Sequence, residues 1–166
     1  MKKRIDSIMN IVDKIVEAML FVVTITMLIS GILQIVYRYL LNASLSWSEE
    51  LMRYLYVWLT MIGASLAVRR KQFVTIEAVY NIINKKSPVA GKILTVVAII
   101  MQVSFFIVLA IYGQQLAAKN MAAESPAMGL SMGIAYLALP LGGYLGCIYC
   151  LFELYDRFVK KEEVTQ

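Results

Sequence analysis

The sequence predicts an all-α integral membrane protein with four transmembrane helices, and three observations lead there. Hydrophobic residues make up 60% of the 166 and charged residues 16%, more apolar surface than a soluble domain of this length can bury. Four long stretches carry no charge: Ala18–Tyr37, Tyr54–Val68, Ile93–Ala118 and Ala127–Phe152. A bilayer core about 30 Å thick needs about 20 apolar residues in a helix, so three stretches suffice as they stand and the second must begin near Trp47. Finally, thirteen of the sixteen Lys and Arg residues lie at one set of ends: the tail through Lys14, the segment 69–92, and the tail from Arg157. By the positive-inside rule both termini and that middle segment face the cytoplasm. The expected layout is a single membrane domain over 1–166, with spans at about 15–41, 47–68, 89–118 and 127–155 and an interfacial helix at about 75–86.

Each element has its own signature. Ile5, Ile8, Met9 and Val12 fall on one helical face, which predicts a helix at the cytoplasmic interface running into the first span. Lys2–Arg4 ahead of an apolar run resembles a signal peptide, but the run is too long and no small-x-small cleavage site follows, so a retained first helix is expected. Asn42–Ser46 reads as a tight outside turn. Ser46-Trp47-Ser48-Glu49 then matches a capping box, Ser at N-cap with Glu three residues on. Arg69-Arg70-Lys71 suits a helix C-terminus at the inner leaflet.

In the middle segment Ile76, Val79, Tyr80 and Ile83 share one helical face, and Glu77, Asn81 and Lys85 the other. This predicts a short amphipathic helix lying flat on the interface or against a partner. Ser87-Pro88 supplies an N-cap and an N1 proline for the third span. Residues 119–126 form the second outside loop. In the fourth span Pro140 predicts a kink, and Gly142-x-x-x-Gly146 and Gly129-x-x-x-Gly133 predict close helix approach.

The charges at the entrance to the second span are the candidate site. Arg53 is i+4 from Glu49 and i+3 from Glu50, so these can meet on one surface. With the turn centred near Ser44, Arg38 and Glu50 sit at matching depth. Charged groups inside a membrane helix are normally paired. Two readings stand: an ion-paired staple for the first hairpin, with Arg38 on Glu50 or Glu49 and Arg53 completing it, or a polar contact surface for a second membrane subunit. Direct binding of substrate or a proton is disfavoured, because no acid lies deep enough for a relay. Trp47 suits an interfacial aromatic belt. Trp58, three turns deeper on the same face, suits packing against another helix.

Catalysis finds little support. With no His and two Cys, zinc and the commonest general base are missing, and no cofactor is expected. Cys147-x-x-Cys150 lies inside an apolar helix, away from the helix N-terminus that activates a redox thiolate. There is no basic face of the kind that binds nucleic acid.

Arg38-Tyr39, Trp47-Ser48-Glu49-Glu50-Leu51-Met52-Arg53, Trp58, Gly63-Ala64 ahead of Arg69, and the Tyr136…Pro140-Leu141-Gly142 segment together resemble the small membrane subunit of tripartite ATP-independent periplasmic (TRAP) transporters, the DctQ-like family. The likeness covers nearly the whole chain, and the W-x-E-E-x-x-R entrance is its most specific part. Relatives often carry a His after the basic cluster, where this chain has Gln72-Phe73. The resemblance implies a scaffold subunit that is neither pump nor enzyme. It implies a large multi-span TRAP subunit holding substrate and sodium sites, and a periplasmic substrate-binding protein delivering a sialic acid, another sugar acid or a C4-dicarboxylate. Membrane lipids are the remaining partners. Two competitors differ in class: an integral-membrane thiol oxidoreductase using Cys147 and Cys150, and a small stand-alone exporter. The exporter would hold a deep acid in its first span, whereas Glu17 lies at the cytoplasmic end.

Overall fold

The computed structural model describes residues 2–43, 45–70 and 88–163. Among them are five helices: α1 (Lys2–Leu40), α2 (Ser46–Arg69), α3 (Pro88–Lys119), α4 (Met132–Tyr136) and α5 (Ala138–Glu163). Four are long and apolar enough to cross a bilayer, over Ser7–Leu40, Ser46–Arg69, Val96–Lys119 and Met132–Leu154, the last formed by α4 and α5 together. The protein is thus an all-α, four-span membrane protein. The predicted interfacial helix, with Ile76, Val79, Tyr80 and Ile83, lies outside the described residues.

The expected N-terminal interfacial helix and the first span are one unbroken helix of 39 residues. Its early residues Met9 and Val16 are buried in the core, so this part of α1 packs within the protein. At the other end Asn42 adopts φ 49°, a left-handed conformation that Asn tolerates better than most residues. The chain then folds back, and the Ala43 N–H donates to the Tyr37 carbonyl at 3.1 Å.

α2 begins at Ser46, close to expectation, but the capping box does not form. Leu45 is the N-cap residue and no side chain caps the helix. Ser46 lies one position past the N-cap, and the Ser48 hydroxyl is committed elsewhere: fully buried, it donates to the Ser30 carbonyl of α1 at 3.0 Å.

The fourth span starts later than predicted, at Met132 rather than near Ala127, because the second loop is longer and folded. Glu124 and Ser131 form an antiparallel bridge. Gly129 turns at φ 62°, which places it in this loop and not in a close-packed helix pair. Ser131 caps α4, accepting from the Gly133 N–H at 3.2 Å. Pro140 has no N–H to offer Tyr136, and the span is interrupted at Leu137, between α4 and α5, with the Leu137 N–H on Gly133 at 2.9 Å and the Leu141 N–H on Leu137 at 3.2 Å.

The long helices form a row. α1 lies against α2, α2 against α5, and α5 against α3, so α1 and α3 occupy opposite edges. The last span in sequence is central in space. A Cβ at Gly142 would stand 2.8 Å from the Met61 carbonyl oxygen of α2, one at Gly143 would stand 2.6 Å from the Ala110 nitrogen of α3, and one at Gly146 would collide with the Phe106 ring. Close approach through glycine replaces the hydrophobic drive that water supplies in soluble proteins. The core follows these contacts: Ile62, Leu66 and Val68 of α2, Phe106 of α3, and Tyr149, Cys150 and Phe152 of α5.

Gly146→Leu is expected to force α3 off α5 and destabilise the subunit by about 3 kcal/mol or more, at the upper end of overpacking. Loss of the monodisperse species after mild heating in detergent reports it. A melting temperature equal to wild type would rule out the glycine contact as a determinant of packing.

Candidate functional site

Polar side chains gather at the two ends of the row. At the loop end, Glu49 and Glu50 are neighbours on α2 and so point about 100° apart. Glu49 turns toward α1, where the Gln34 amide donates to it at 2.8 Å. Glu50 turns toward the second loop. One of its oxygens accepts from the Tyr54 hydroxyl at 3.0 Å and the other from the Ala127 N–H at 3.0 Å. The Ser125 side chain stands beside the same carboxylate. Ser125 is itself buried, and its hydroxyl accepts from the Met128 N–H at 3.2 Å. One carboxylate of the second span therefore fastens the loop between the third and fourth.

This corrects the expected ion pair. Among the described residues no ion pair joins Arg38 to Glu49 or Glu50, and none includes Arg53. Register explains it. Ser30 meets Ser48, and Gly31 faces Met52, so the hairpin centres nearer residue 41 than residue 44. Arg38 consequently stands beyond the start of α2. It shares an open cleft of about 310 Å³ with Gln34, Leu45 and Glu49. Arg53 is exposed on the flank of α2.

The two tryptophans separate as their depths suggest. Trp47 is 42% exposed at the start of α2. Trp58 packs on the core and donates its indole N–H to the Ile134 carbonyl of α4 at 3.2 Å, which makes its partner helix one of this chain's own. Cys147 is half-buried and Cys150 buried, both as free thiols well inside α5. Neither is at a helix N-terminus, so they pack as small apolar groups.

The cluster at the other end was missed from sequence. Asp13 of α1 pairs with Arg69 of α2 at 3.2 Å, and Glu17 pairs with Arg70. The Arg69 guanidinium also lies 4.2 Å over the Phe152 ring of α5, a cation–π contact. The buried Tyr149 hydroxyl stands next to Asp13 without reaching hydrogen-bond geometry, and the second Asp13 oxygen is likewise buried and unpaired among the described residues. Three helices are joined here. A signal did exist: acids one turn apart in α1, and adjacent arginines at the end of an antiparallel α2.

Asp13→Ala is expected to lower the stability of the detergent-purified subunit by about 1–3 kcal/mol, because Arg69 loses its partner at a partly buried site. Adding Arg69→Met should recover part of that loss, read by thermal unfolding; strict additivity would exclude a direct coupling.

The chain is similar to known membrane transporter components. The profile described as "Tripartite ATP-independent periplasmic transporters, DctQ component" matches residues 27–160. A "Putative TRAP transporter small permease protein" of Haemophilus influenzae is 31% identical over 142 residues, 84% of this chain and 84% of the relative. The "Sialic acid TRAP transporter small permease protein SiaQ" of Vibrio cholerae is 28% identical over 141 residues, 85% of this chain and 78% of the relative. A "Sialic acid TRAP transporter permease protein SiaT" of Haemophilus influenzae is 40% identical over 65 residues, 38% of this chain and 11% of that much longer one. The chain belongs to the DctQ family of TRAP transporter small permease subunits, a transporter component and not an enzyme.

Proposed function

We propose that this chain is the fixed scaffold subunit of a sodium-coupled TRAP transporter that imports an organic acid. In this reading it binds the large multi-span subunit, which holds the substrate and sodium sites, and helps to dock the periplasmic substrate-binding protein. The observation that carries the reading is the open row of helices. With α1 and α3 at opposite edges, the described spans enclose no central path. A cleft of about 520 Å³ is walled by Val96, Ile99, Ile100, Val103, Ile107 and Leu154, with Ser104 as its one polar residue; it suits a lipid acyl chain better than a carboxylate. An open row of helices with an apolar cleft is suited to holding another element in place.

Charge sets the orientation. The end with both termini faces the cytoplasm, and the loop end, with Arg38, Glu49, Glu50 and the folded 120–131 loop, meets the binding protein. The substrate class follows the relatives named for sialic acid, with other sugar acids and C4-dicarboxylates as the remaining members of the class.

Proteoliposomes holding the chain, its large subunit and the binding protein should accumulate radiolabelled sialic acid under an inward sodium gradient, and omission of the chain should abolish uptake. Full uptake without it would overturn the scaffold role. Uptake of another acid alone would change the substrate assignment. Single-Cys variants at Asn42 and Asn120 should react with an impermeant maleimide from outside sealed cells, whereas one at Gln72 should not; the opposite pattern would invert the topology.

A further inference from the structure

The outward faces of the long helices differ in chemistry. α1 presents Phe21, Val22, Ile25, Ile29 and Ile32, and α3 presents Val97, Ile100, Met101, Val108 and Ile111, all exposed apolar side chains suited to lipid. The face of α2 turned away from α5 reads Glu49, at the α1 edge where it accepts from Gln34, then Arg53, Tyr56, Thr60, Gly63 and Ala67. Their spacing of four, three, four, three and four keeps all six on one side of the helix. The first four are exposed and the last two half-exposed. This side carries a carboxylate, a guanidinium, a phenol and a hydroxyl, then two small residues.

Two further observations indicate that this face is incomplete in the isolated chain. Arg53 has no ion pair among the described residues, although a charge on a membrane helix is normally paired. A Cβ at Gly63 would have nothing within 4 Å, whereas at Gly113, Gly133, Gly142, Gly143 and Gly146 it would meet another part of the chain at 3 Å or less. Those five glycines serve contacts inside the subunit. Gly63 leaves equivalent room, with Ala67 one turn on, and no described residue fills it. A glycine weakens a helix unless close approach uses it.

We infer that this face of α2 is the docking face for a membrane-spanning helix of the large permease subunit. That helix presents an acidic group level with Arg53 and a backbone or small side chain that closes on Gly63 and Ala67. The commitment to this occupant, over a second copy of the chain, rests on the proposed function and on SiaT, where a segment similar to this chain belongs to a far longer permease protein. Its expected effect on the assembly is strong because both determinants, the charge and the close approach, lie on one continuous strip.

The test uses the full chain co-expressed with the large subunit of the same transporter. With Tyr56→p-benzoylphenylalanine, irradiation of membranes should give one product at the combined mass of the two subunits, and the same replacement at Phe105 on α3 should give none. Gly63→Trp, whose Cβ has nothing within 4 Å among the described residues, should leave the yield and melting temperature of the isolated chain unchanged and reduce recovery of the large subunit by about tenfold or more, as loss of a central contact does. A Tyr56 product at twice the mass of this chain, no protein product at Tyr56, or equal cross-linking from Phe105 would overturn the inference, as would full recovery with Gly63→Trp. If the wild-type chain itself fails to co-purify with the large subunit, the scaffold reading fails instead. Should Gly63→Trp not accumulate, the Tyr56 and Phe105 products still decide.

Discussion

In lipid, two apolar helices gain nothing by hiding from solvent, so how closely they approach decides whether they associate. Here that condition is met by the glycines of α5. Gly142 lets the backbone of α2 come near, and Gly143 and Gly146 admit Ala110 and Phe106 of α3. Because the last span is wedged between the second and third, the row depends on it. Among the described residues α1 joins through α2 and the polar cluster at its N-terminal end, and α3 is placed by its fit to α5 and α4. Pro140 belongs to the same arrangement: it stands just past the break at Leu137, and α4 ahead of that break offers the Ile134 carbonyl to the indole of Trp58.

Polar groups are divided by depth. Within the spans they are neutral and largely satisfied at short range: Thr24, Thr26 and Thr60 return their hydroxyls to carbonyls one turn back, and Tyr144 donates to Gln114 at 2.7 Å. Charges occur at the ends, where water and headgroups moderate their burial. The Asp13–Arg69 pair is only partly exposed and joins helices far apart in sequence. It closes the row at one end much as the Glu50 carboxylate closes it at the other.

Hydropathy and the sorting of basic residues were enough to read the four spans, because both are written in composition and survive small errors of boundary. The entrance motif was also visible, but its partners were not. Counting residues outward from Ser44 matched Arg38 with Glu50, whereas the left-handed Asn42 moves the centre of the hairpin, and Glu50 turns to Ala127, 77 residues away in sequence. The Ser46 capping box failed because the helix begins one residue early, with Leu45 at the N-cap, and tertiary packing took Glu49 for Gln34. The Gly129 pair looked like a helix contact until the folded loop claimed it. Local patterns identified the elements; angular position around each helix, which no linear spacing specifies across a turn, chose the partners.

The clasp on the second loop bears on the energetics of whatever meets that end of the protein. Twelve residues between two membrane spans would ordinarily sample many shapes and lose that freedom on contact, at roughly 1–2 kcal/mol per residue. In residues 120–131 the Glu124–Ser131 bridge, the Ser131 cap and the Glu50 carboxylate have already fixed the backbone. A partner arriving there finds its mould already cast, and little of its binding free energy is spent on ordering the surface it touches.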